Sequence, residues 1–207
     1  MLPFGVVRFV FLLMIKVMYK SLLKDKVLTA TDKILLSFLI SKARSACGFK
    51  SKSFWDDKAK WNEDVYWEVI GDNGGLPMPE INNTTLAKEI RITRRSVIAS
   101  KKRLEEQGYI VNGVIYGVIR INEDGYFELS EYENIKGELW IFFSWLQSLC
   151  ELWEGDIIDA SVKKLALLYG DTYEKTEISI RRLLQIGVIQ RVKGVRKNYE
   201  SLKIKMV

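Results

Sequence analysis

The chain has 207 residues, 48% of them hydrophobic and 28% charged, with a formal net charge of +6 and a pI near 9.2. This is long enough for one domain or two small ones with modest cores, and too apolar for wholesale disorder. Histidine is absent, which excludes Ser-His-Asp triads, Cys-His pairs and His-ligated zinc, while the basic balance favours an acidic partner such as nucleic acid.

Residues 1–20 open with "MLPFGVVRFVFLLMIKV", strongly apolar but interrupted by Arg8. Its longest clean run, Phe9 to Ile15, is far short of the ~20 residues a membrane span needs. It also lacks the early positive region and small-residue cleavage site of a signal peptide. The segment reads either as a leader upstream of a start at Met14 or Met18, or as a helix packed on the body. No membrane is expected as a partner. Cys47 and Cys150 are far apart and have no metal-type spacing. They read as small core residues in a reducing, cytoplasmic setting.

A first helix is expected in "LTATDKILLSFLISKARSA", with Thr29 and Asp32 spaced as a capping box. Leu35, Phe38, Leu39, Ala43 and Ala46 share a helical face, and Lys42 on that face must snorkel outward. Residues 48–81, rich in Trp, Asp and Gly and ending with Pro77 and Pro79, read as an insertion in which "VYWEVI" suits a strand. A short helix follows in "NNTTLAKEI", capped by Asn82. Thr93 caps the next helix, and Gly108 takes its C′ position. "YIVNGVIYGVIRI" then reads as strand with a turn at Asn112-Gly113. "NEDG" turns into "YFELS", which places a wing tip at Glu123 and Asp124.

The chain then repeats itself. "LAKEIRITRRSVIASKKRLEEQGYI" overlays "LALLYGDTYEKTEISIRRLLQIGVI" without a gap. Leu86 and Ala87 meet Leu165 and Ala166, Thr93 meets Thr172, and Ser100 meets Ser179. Leu104, Gly108 and Ile110 meet Leu183, Gly187 and Ile189. The second copy has its own leading helix, "GELWIFFSWLQSLCELWEG", with Leu139, Phe142, Phe143, Leu146, Leu149 and Trp153 at helical spacing. A helix this apolar is expected to pack on the first module or on a second chain.

These caps and spacings resemble the winged helix-turn-helix module of phage and plasmid replication initiators and of many bacterial transcription regulators. The resemblance covers residues 28–121 without the insertion, and residues 138–200. It implies a mainly α fold with small β-hairpin wings (α+β) in two tandem modules, spanning residues 21–130 and 131–207. It also implies sequence-specific binding of double-stranded DNA, with replication initiation as the first role and transcription regulation as the second. A non-DNA interaction scaffold of the same build is the third reading. Replisome proteins and a second copy of the chain are further candidate partners.

In such a module the second helix enters the major groove with its amino-terminal residues on base edges. Residues 91–103 carry six basic side chains and no acid. On a helical wheel, Val97, Ser100 and Lys101 fall on the core side with Leu104, while Arg95, Ile98, Ala99 and Lys102 point away. Thr93, Arg94 and Arg95 lie at the first turn, where the helix dipole disfavours cations unless an anion sits opposite. Arg94 and Arg95 suit guanine or phosphate, Ile98 or Ala99 a thymine methyl, and Lys102 and Arg103 the backbone. Asn83, Thr84 and Thr85 open the preceding helix and are candidate phosphate contacts. The second copy places Glu174 opposite Arg95 and Glu177 opposite Ile98, which argues against base reading there. Its tail is basic, and Arg191, Lys193, Arg196 and Lys197 around Gly194 form a candidate backbone-binding wing.

No catalytic, metal or cofactor site is expected. "GDNGGLP" lacks the Gly-Lys-Ser/Thr of a phosphate loop, no nucleophile has a visible base, and Asp56, Asp57, Glu63 and Asp64 read as solvated loop acids.

Overall fold

The computed structural model describes residues 16–47, 75–118, 121, 125–132, 134–193 and 200–204. The expected strand at "VYWEVI", the acids of that loop, Glu123 and Asp124 lie outside them. The architecture is mixed α and β, with helices and three small antiparallel sheets among the described residues.

Strand β1 (Val17–Tyr19) and the single-turn helix α1 (Lys20–Leu23) lead to α2 (Ala30–Ala46). Strand β2 (Leu76–Pro77), α3 (Asn83–Glu89), α4 (Arg94–Glu106), β3 (Ile110–Val111) and β4 (Val114–Ile115) complete a first unit. After β5 (Tyr126–Glu128), a second unit runs α5 (Gly137–Leu152), β6 (Ile157–Ile158), α6 (Val162–Tyr169), α7 (Tyr173–Ile186), β7 (Ile189–Lys193) and β8 (Glu200–Ile204). Both units have the order helix, strand, helix, helix, strand, strand. In both sheets the last strand lies in the middle: β2-β4-β3 and β6-β8-β7.

The helix boundaries follow local chemistry. Thr29 and Asp32 form the capping box, and Asn82, Thr93, Ser161 and Thr172 each accept a backbone N–H in their helix's first turn. Gly108 and Gly187 sit at φ +75° and +83° after equivalent helices, a conformation glycine adopts without steric cost. Asn112 and Gly113, at φ +49° and +76°, close the β3–β4 hairpin as a turn whose twist suits its strands.

Three sequence expectations change. Val17–Tyr19 is a buried strand rather than part of a helix, with Met18 inside the core. Leu76–Pro77, inside the stretch read as an insertion, is the third strand of the first sheet. Leu76 pairs with Ile115 and is buried, and Pro77 sits on the sheet edge where its missing N–H is harmless. Tyr126–Glu128 does not extend the β3–β4 hairpin. It pairs antiparallel with β1, Met18 opposite Phe127, so the described hairpin of the first unit ends at Asn112-Gly113.

The repeat also extends further than the overlay of residues 86–110 on 165–189. Ile34-Leu35-Leu36-Ser37-Phe38-Leu39 of α2 matches Ile141-Phe142-Phe143-Ser144-Trp145-Leu146 of α5, and every one of these twelve side chains is buried. Ser37 accepts the Tyr19 N–H and Ser144 accepts the Ser130 N–H. A small hydroxyl on each leading helix thus holds the chain that precedes that helix.

The two units share one hydrophobic core, and their contacts are reciprocal. The strands preceding the leading helices pair with each other, and α2 packs on α5. The turn between α3 and α4 reaches the second unit through Arg91, which donates to the Tyr132 and Glu131 carbonyls. Conversely, the turn between α6 and α7 lies against the first unit, where a Cβ at Gly170 would be 3.7 Å from the Lys24 side chain. Such pairing is what an approximate internal two-fold produces.

The buried pair Val97 and Thr176 differs in polarity between the copies. Thr176 of α7 is buried, and its hydroxyl has no hydrogen-bond partner among the described residues, whereas its counterpart Val97 is apolar. An unsatisfied buried hydroxyl is costly. Thr176→Val is therefore expected to stabilise the chain by about 1 kcal/mol, read as a raised midpoint with unchanged slope in urea unfolding.

Candidate nucleic-acid interface

Helix α4 is held from behind by a buried polar cluster. Asp32 of α2 is 1% exposed. Its carboxylate accepts the Thr29 N–H and hydroxyl, the Ser100 hydroxyl, and Arg103 through both Nε and Nη2, the latter at 2.7 Å. Burial pushes the Asp32 pKa up, but the bonds from Arg103, Ser100 and Thr29 outweigh it and hold the group below its ordinary value. Ser100 is small because α4 crosses α2 here, and its hydroxyl fills the gap with a bond.

The sequence marked Arg103 for phosphate; in the fold its guanidinium is engaged with Asp32 and anchors the helix, with the side chain 40% exposed. Arg91 is drawn inward too. Its guanidinium sits 5.0 Å over the Trp140 ring and pairs with Glu131. Two of the six basic side chains of residues 91–103 are thus structural. Lys101 is half-buried, its pKa lowered by burial and partly restored by Glu105.

The rest project outward. Arg94, Arg95, Ala99 and Lys102 are exposed and Ile98 is 48% exposed, while Val97, Ser100 and Leu104 are buried. Arg94 and Arg95 pair with no acid among the described residues. Lys102 lies 3.7 Å from Glu106, an exposed pair of small energetic weight. The exposed face of α4 therefore presents two arginines at its first turn, an isoleucine and an alanine beyond them, and a lysine farther along. Thr93 is exposed and caps α4. In the first turn of α3, Thr84 and Thr85 are exposed and Asn83 is half-buried.

The equivalent face of the second unit differs. Glu174 occupies the first turn of α7. Glu177 accepts from Arg181 at 3.0 Å, and bonds from Tyr173 and then Arg181, with Arg191 nearby, lower its pKa. The acids and bases of this face neutralise one another. Its first turn also borders a cleft against the first unit, lined by Lys26, Lys33, Thr172 and Lys175. Arg191 is exposed on β7 and Lys193 ends that strand. Arg196 and Lys197 lie outside the described residues.

Cys47 and Cys150 are free thiols, and burial followed by Asp156 and Glu151 raises Cys150 to about 11. No group of three potential metal-binding side chains occurs among the described residues, and no described helix is long and apolar enough to cross a membrane. No family model matches this chain, and no curated protein or solved structure matches it either.

Proposed function

We propose that this chain is a tandem winged helix-turn-helix protein that binds double-stranded DNA with sequence specificity through α4. The observation that carries the reading is the pair Arg94 and Arg95 on the exposed first turn of a helix whose other face is anchored by Asp32. A first-turn arginine pair opposes the helix dipole until an anion arrives, and helices in this setting read bases with their first turns. The order helix, strand, helix, helix, strand, strand in both units, with the last strand central, supports the module assignment. Arg94 and Arg95 contact guanine or phosphate, Ile98 or Ala99 a thymine methyl, and Lys102 the backbone, with Thr84 and Thr85 adding phosphate contacts. The second unit contributes Arg191 and its basic tail to the backbone without reading sequence.

Replication initiation for a phage or plasmid is the role proposed for this binding, by analogy of build. Selection of bound duplexes from a random pool tests it. An initiator yields one motif that recurs as closely spaced repeats in the parent replicon. A motif confined to one site before a gene assigns the chain to transcription regulation, and a pool that never enriches overturns sequence-specific binding.

A further inference from the structure

The two units provide an internal control for their surfaces, because equivalent positions have been built twice. On the outer face of α2 and α3, the first unit carries Lys42, Ser45, Lys88 and Glu89, and Lys42 places its ammonium 5.0 Å over the Phe38 ring. The second unit carries Leu149, Leu152, Leu167 and Leu168 at the matching places. Leu152, Leu167 and Leu168 are 72%, 81% and 48% exposed. The backbone does not demand leucine here, since the first unit builds the same elements with polar side chains. Solvent-facing leucines at positions a sister copy makes polar mark a surface that is covered in use.

Leu149, Leu152 and Leu168 line one open groove of about 550 Å³, floored by Trp145. Lys20, Glu128 and Glu151 also line it, and all three are exposed. A patch with an apolar centre and both charge signs beside it is complementary to itself: when two copies meet about a two-fold axis, the cation of one faces the anion of the other. We infer that this groove is a self-association face, and that its occupant is a second copy of this chain. The inference stands apart from DNA binding, because none of these residues lies on α4.

The test is the mass of the full chain in solution, by light scattering and sedimentation up to about 100 µM, a range that detects weak homodimers. The comparison variant is Leu152→Ser/Leu168→Glu, which installs the first unit's own residues at exposed positions. Circular dichroism checks that it folds like the wild type. The wild type is expected at twice the chain mass of 24.0 kDa, and the variant at the single mass, with a dimer dissociation constant raised at least about 100-fold by loss of two central anchors. Lys20→Glu and Glu151→Lys are each expected to weaken the dimer, and mixing the two variants to restore it. A wild type that stays monomeric throughout, or a folded variant that still dimerises, overturns the inference. The monomeric result would assign the groove to another occupant, such as a different protein or the apolar residues 1–15 of the same chain.

Discussion

Asp32→Ala is expected to destabilise the chain by about 3 kcal/mol, the lower part of the range for breaking a buried ion pair. Asp32 itself is almost fully buried, but Arg103 is not and can turn to water, which is why the lower figure applies. The same change removes the capping box of α2 and leaves the buried Ser100 hydroxyl without its acceptor. Urea unfolding measures the loss. Asp32→Asn isolates the charge. Because the folded pKa of Asp32 is lowered, its ionised form contributes stability above its ordinary value of 3.8. That contribution is lost as pH falls below 3.8 through the lower folded value. The wild type is thus expected to lose stability over that acid window, and the gap between it and Asp32→Asn to narrow there. A constant gap down to the acid limit would mean the carboxylate charge does not hold α4.

Trp140→Ala is expected to cost about 4 kcal/mol, typical of truncating a buried aromatic. Trp140 is fully buried, its indole N–H donates to the Ser130 carbonyl at 2.8 Å, and Arg91 stacks on its face. Truncation empties the junction between the units and strips Arg91 of its ring. Arg91 holds a φ of +58° where the second unit has Gly170 at +84°, a conformation that costs a non-glycine residue about 1 kcal/mol or more. Its contacts with Tyr132, Glu131 and Trp140 offset that strain. Calorimetry is expected to show one transition at a strongly lowered midpoint, since one core spans both units. Two resolved transitions in the wild type would contradict that shared core.

Much of this organisation was legible in the sequence because helix caps and helix faces are local. Thr29, Asn82, Thr93 and Thr172 were each identifiable from the residues that follow, and the wheel placed Arg95, Ile98, Ala99 and Lys102 outward. What was hidden was non-local. Arg103 looked free because its partner Asp32 is 71 residues away. The β1–β5 pairing joins strands of three residues from distant parts of the chain, and the apolar run before Tyr19 has no period that separates strand from helix. Leu76–Pro77 is too short to register as a strand and ends in a residue that argues against one. The leading-helix repeat was a missed local signal: "ILLSFL" against "IFFSWL" lies gap-free in the sequence once the extra chain between α2 and α3 is allowed for.

Contact of Arg94 and Arg95 with DNA is measured by salt-titrated fluorescence anisotropy on random duplex, with wild type beside Arg94→Ala/Arg95→Ala. Both side chains are exposed and outside the core, so the double variant is expected to fold and melt like the wild type. The wild type should bind with a steep loss of affinity as salt rises. The variant should bind more weakly and lose about two units of the log–log slope, close to one per phosphate contact removed. A wild type that ignores duplex at low salt, or a double variant with unchanged affinity and slope, would contradict the account.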